Sequence, residues 1–113
     1  NHAWSGGPLT ILSQYIAGIE TLEPAFRTFR VAPHPAHLNF IRTQVPLSGG
    51  RRIVFEIDKS AHGGTMYLRV PEGTSAQVVL PAEFQRWSVN GEPKNARQLT
   101  LVAGEWHFEM SEK

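Results

Sequence analysis

Apolar side chains recur at every second position through Ile53, Phe55 and Ile57, and again through Met66, Leu68 and Val70. Side chains of an extended chain point alternately to its two faces, so each run makes one apolar face and one wet one. That is the signature of a strand packed on one side only, whereas strands of a buried parallel sheet read as continuous apolar runs. Val78-Val79-Leu80 is such a run, and it is short.

Turn chemistry separates the alternating segments: Ser48-Gly49-Gly50, His62-Gly63-Gly64, Pro71-Glu72-Gly73, Asn90-Gly91 and Ala103-Gly104 each supply a residue that tolerates positive φ. Between them, strands are expected at 38–45, 52–59, 65–70, 75–80, 85–89, 98–102 and 105–110, after a first one at 26–31. Short strands at this spacing predict a mainly β chain, an antiparallel β-sandwich of about seven or eight strands.

One α-helix precedes them. Leu9, Ile11, Leu12, Tyr15 and Ile16 cover about half the circumference of a helix running from Pro8 to Ala17. Pro8 suits the first helical position, and Gly18 suits a left-handed C-cap. After Pro24 the period changes from about 3.6 to about 2, and strand structure is expected to begin there. The apolar arc of the helix needs a cover, either the sandwich, a neighbouring domain, or a second copy of the chain in a dimer through the helix.

With 113 residues, 41% of them apolar, the chain can bury one core and not two. The net charge of +1, with Arg51-Arg52 the only basic pair, leaves no footprint for a phosphate backbone, so no nucleic-acid partner is expected. No apolar run approaches the roughly 20 residues that cross a bilayer as a helix, and no membrane partner is expected. Cysteine is absent, which removes disulfides and thiolate metal sites and leaves the compartment open. The start at Asn1, with a motif immediately at His2, reads as an excised fragment.

Candidate chemistry is sparse. Glu56 and Asp58 form the only close carboxylate pair, but they leave one strand in the same direction, whereas glycoside hydrolysis needs two carboxylates facing each other across a bond. A solvated strand face is the better reading. The five histidines, His2, His34, His37, His62 and His107, show no ligand spacing, so neither a metal nor another cofactor is expected. Asp58 is the only aspartate and there is no Gly-x-Ser-x-Gly elbow, which argues against a serine triad.

Trp87 and Trp106 could form a stacking platform for carbohydrate. Trp106 alternates with Phe108 and Met110, however, and Trp87 with Val89, so a place on the inward face is expected for both. His2-Ala3-Trp4-Ser5-Gly6-Gly7-Pro8 sets an imidazole and an indole two residues apart before the helix, a combination that suits a polyol. From the residues alone, a packing role for Trp4 and a frayed end at His2 are the favoured reading.

That motif, followed by Gly18-Ile19, Leu22-Glu23-Pro24-Ala25-Phe26 and Val31-Ala32-Pro33, resembles the carboxy-terminal end of bacterial α-L-rhamnosidases. Further along, Arg69-Val70-Pro71-Glu72-Gly73-Thr74, Val89-Asn90-Gly91 and Ala103-Gly104-Glu105-Trp106-His107-Phe108 fit in the same order. The resemblance implies that residues 1–23 are the last helix and the sugar-pocket motif of an (α/α)6 catalytic barrel, and that residues 24–113 are the trailing β-sandwich. It implies that His2 and Trp4 bind substrate, while the general acid and base of an inverting hydrolysis of terminal α-L-rhamnosyl linkages lie upstream. The implied partners are that barrel and, through the whole enzyme, a rhamnose-containing glycan. A periplasmic or secreted parent is the expectation, with a cytoplasmic one left open. The competing readings are a free carbohydrate-binding module and the end of a related barrel hydrolase acting on another sugar.

Overall fold

A computed structural model of the chain describes residues 17–22, 27–34 and 39–112. The expected helix therefore falls, apart from Ala17, outside the described residues. Ten strands follow: β1 (Ile19–Thr21), β2 (Thr28–Val31), β3 (Phe40–Pro46), β4 (Arg52–Lys59), β5 (Gly63–Val70), β6 (Ser75–Val79), β7 (Arg86–Val89), β8 (Glu92–Lys94), β9 (Gln98–Leu101) and β10 (Gly104–Ser111).

They form two sheets, one in the order β1-β2-β6-β9 and one in the order β3-β4-β5-β10-β7-β8. The expected sandwich is present, with two more strands than the sequence suggested. β1 and β8 are the additions. Each has three residues, too few for alternation to be legible, and β8 carries Pro93. As the end strand of its sheet, β8 can hold a residue that has no N–H to donate. Among the described residues strand structure begins at Ile19 and not after Pro24: Ile19 pairs with Val31 and Thr21 with Phe29.

One pairing is parallel. β2 lies alongside β6, Phe29 beside Ala76 and Val31 beside Val78, while every other pair is antiparallel. Parallel neighbours need a long crossover, and here β3, β4 and β5 supply it by building the other sheet in between.

Alternation places the core where the sequence put it. From the six-stranded sheet come Ile41 and Val45, Ile53, Phe55 and Ile57, Met66, Leu68 and Val70, Trp87 and Val89, and Phe108 and Met110. Phe29, Val31, Ala76, Val78 and Leu101 face them from the four-stranded sheet. Phe29, Phe55 and Leu68 are wholly buried, and removing a side chain of that size from water is worth about 1.5–3 kcal/mol.

The turns take their expected conformations. Asn90 and Gly91, at φ 50° and 85°, make the tight reversal between β7 and β8 that a right-twisted hairpin favours. Gly18 has φ 70°, and a Cβ there would sit 1.9 Å from the Ala32 carbonyl oxygen. Its own carbonyl accepts the Ala32 N–H at 3.0 Å, so backbone occupies the space a side chain would need. Between β5 and β6, the Thr74 hydroxyl donates to the Pro71 carbonyl at 2.7 Å and closes the loop.

Candidate functional site

His2 and Trp4, the expected substrate-binding pair, lie outside the described residues. The other sequence candidates can be placed. Trp87 is buried, its Nε1 donates to the Ala96 carbonyl at 2.8 Å, and its ring stacks on Phe108 at a centroid distance of 5.8 Å. It has no free face for a sugar. Trp106 packs against the core from its margin, half-buried, with Nε1 donating to the Val102 carbonyl at 2.9 Å. The inward reading of both indoles holds, more completely for Trp87.

Glu56 and Asp58 point outward from β4, as expected. Glu56 Oε2 lies 3.0 Å from the Arg42 guanidinium, its cross-strand neighbour. Among the described residues no group of three potential metal-ligating side chains comes together, and His62 makes only a long contact with Glu112 at 3.7 Å.

What the sequence did not disclose is the outer face of the six-stranded sheet. The registers assemble three rows of outward residues across four strands: Gln44-Val54-Arg69-Glu105, Arg42-Glu56-Tyr67-His107 and Phe40-Asp58-Thr65-Glu109. Neighbouring strands lie about 4.8 Å apart, so each row spans roughly 14 Å. Residues as far apart in sequence as 40 and 109 become neighbours only through this pairing.

Two depressions mark the face. The smaller, about 360 Å3, is lined by Phe40, Asp58, Tyr67, His107 and Glu109 among others. Phe40 is 55% exposed, and the Tyr67 and His107 rings meet at 5.1 Å with planes tilted by 51°. Partial burial, with the charge of Glu105 adding to it, raises the Tyr67 phenol above its ordinary range. Apolar ring surface beside carboxylate acceptors can take up the C–H face and the hydroxyls of a polyol.

The larger depression, about 680 Å3, opens where the β3–β4, β5–β6 and β9–β10 turns gather. Its lining includes the buried Val54, Val70 and Pro71 and the exposed Ala103, with Arg51, Arg52, Arg69, Glu72 and Glu105 around them. Val54 points outward yet is only 8% exposed. Its outward neighbours are long polar side chains, which cover it with their stems.

Arg51 is fixed in place. Its Nε donates to the Ser48 carbonyl at 3.0 Å and one terminal nitrogen to the Glu72 carbonyl at 2.5 Å. The bare Cα of Gly73, at φ 80°, leaves the space: a Cβ there would lie 3.2 Å from the guanidinium.

Comparison with known proteins follows this architecture. Residues 18–97 match the family model described as the bacterial alpha-L-rhamnosidase C-terminal domain. The fold is similar to part of the alpha-L-rhamnosidase from Dictyoglumus thermophilum, with a TM-score of 0.73 and 21% identity over 85% of this chain and 12% of that one. It is also similar to part of the Streptomyces avermitilis alpha-L-rhamnosidase solved with L-rhamnose, with a TM-score of 0.71 and 20% identity over 85% of this chain and 10% of that one. No curated protein matches. The chain thus spans about a tenth of the length of these two structures.

Proposed function

Since this chain belongs to the family of bacterial alpha-L-rhamnosidase C-terminal domains, we propose that it is the closing β-sandwich of a glycosidase that removes terminal α-L-rhamnosyl groups. The match over residues 18–97 carries the reading, and the likeness of fold to two structures of such enzymes supports it.

In this reading the sandwich is structural and the chemistry lies upstream. Inverting hydrolysis needs a general acid on the leaving oxygen and a base on a water at the opposite face of the ring. The Glu56 carboxylate is held by Arg42, and both Glu56 and Asp58 stand on an outward sheet face, a poor setting for that division of labour. The acid and base are accordingly assigned to a preceding (α/α)6 barrel.

Residues before Gly18 would end that barrel, with His2 hydrogen-bonding sugar hydroxyls and Trp4 stacking beside it. The sheet from Ile19 onward would form the buttress. The pairing of Ile19–Thr21 with β2 supports a reading in which the sandwich starts near Gly18. The apolar helix arc would then be buried against the barrel and not against a second copy.

The test is hydrolysis of an aryl α-L-rhamnoside by the full-length enzyme and by its His2→Ala variant. Loss of activity in the variant with retained folding supports the pocket assignment, and unchanged kinetics removes it. A full-length enzyme inactive on rhamnosides but active on another glycoside would replace the sugar while keeping the architecture.

A further inference from the structure

The larger depression on the outer sheet face holds three guanidinium groups, and among the described residues none of them makes an ion pair. Arg51 spends its donors on the Ser48 and Glu72 carbonyls and on the Ser48 hydroxyl at 3.4 Å. Arg52 donates to the Gln44 side-chain carbonyl at 3.0 Å. Arg69 sits directly across from Glu105 in register without pairing with it. Neutral acceptors order a guanidinium but leave its charge in place.

We infer that this depression binds a singly charged, carboxylate-bearing saccharide, a uronic-acid residue of a glycan chain. Three cations face two carboxylates, Glu72 and Glu105, so the site carries one net positive charge and suits a monoanion better than a dianion such as sulfate. The planar fork of a guanidinium matches a carboxylate in two parallel hydrogen bonds. Of the apolar lining residues Ala103 is exposed and can meet the C–H face of a sugar ring, while Val54, Val70 and Pro71 are buried. Glu72 and Glu105 can accept from the remaining hydroxyls. Pre-ordering of Arg51 by the two turns lowers the entropy lost on binding.

The saccharide part of this assignment rests on the glycosidase reading above, and the anion part does not. The experiment is an amide-resolved NMR titration of the chain with a trisaccharide of galacturonic acid, with the same trisaccharide methyl-esterified, and with sodium sulfate. Saturable shifts at Arg51, Arg69 and Gly104 with the acid form, about tenfold weaker with the ester, are expected, and raising salt should weaken them. Arg69→Gln, and independently Arg52→Gln, should each lower affinity several-fold while the remaining spectrum keeps its dispersion.

Equal binding of acid and ester, shifts confined to other residues, or affinity unchanged in both variants would overturn the site. Sulfate binding as tightly as the acidic saccharide would overturn the saccharide assignment and leave an ion site. Uronate binding by a chain whose full-length enzyme fails on rhamnosides would keep the site and remove the enzymatic reading. Rhamnoside hydrolysis without uronate binding would do the reverse.

Discussion

The indole of Trp87 lies over the ring of Phe108 with their planes only 21° apart, joining β7 to the centre of the six-stranded sheet. Both rings are buried, and the one polar atom of the indole is satisfied by the Ala96 carbonyl. Trp87→Ala should destabilise the chain by about 3–5 kcal/mol, the range for emptying a buried aromatic site. Trp87→Phe keeps most of the stacking and loses one hydrogen bond, so a cost of about 1–2 kcal/mol is expected. Urea unfolding followed by far-ultraviolet circular dichroism ranks the two, and equal midpoints would contradict the stacking account.

Two glycines with similar backbone angles should respond very differently to alanine. At Gly91 nothing lies within 4 Å of an added Cβ, so only the left-handed conformation is penalised, about 1 kcal/mol. At Gly18 the same penalty is joined by a clash with the Ala32 carbonyl. Gly18→Ala should therefore cost well over about 2 kcal/mol, because β1 must leave the sheet or the backbone must shift. Thermal midpoints of the two variants provide the comparison.

Tyr67 links the outer face to alkaline stability. Its phenol titrates above the ordinary value of 10.0 in the folded chain because burial first, and the Glu105 charge second, disfavour the phenolate. As pH rises past 10, the unfolded chain loses this proton before the folded one does. The stabilising contribution is thus complete below the unfolded value and is lost as pH climbs through the folded one. Tyr67→Phe should flatten the fall in stability above pH 10, and Glu105→Gln should bring the phenol back toward its ordinary range. Ultraviolet difference titration of phenolate reads both effects, and an earlier-titrating Tyr67 would reverse the sign.

The ion pairs should not contribute equally. Lys59 and Glu83 meet at 2.7 Å with the lysine side chain only 16% exposed, whereas Arg30 and Glu20 stand 3.6 Å apart and well exposed. Double-mutant cycles should give a coupling near 1 kcal/mol for the first pair and about 0–0.5 kcal/mol for the second. High salt should erase the second more readily than the first.

Strands that carry their own alternation were legible in the sequence. Ile53-Phe55-Ile57 and Met66-Leu68-Val70 announced both position and buried face, and the Asn90-Gly91 turn announced its reversal. β1 and β8 were not legible, since three residues such as Glu92-Pro93-Lys94 hold no period and are strands only because a neighbour pairs with them. The parallel contact of Phe29 with Ala76 was equally hidden, because half-buried strands look alike whichever direction their neighbour runs. The outer face was illegible for a related reason. Arg51, Arg69 and Glu105 belong to three separate segments, and only the register brings them around one depression.

The parallel joint between β2 and β6 also sets an order of assembly. β3 pairs with β4 and β4 with β5, so this meander can zip locally, whereas β2, already paired with β1, gains β6 only after the meander has turned the chain back through the Pro71–Thr74 loop. Closure of the four-stranded sheet carries the loop entropy of everything in between and, like the long-range pairing of β5 with β10, belongs to the later steps of folding. Until it closes, the β3-β4-β5 meander keeps its apolar side uncovered, and that interval is when the chain is most open to aggregation.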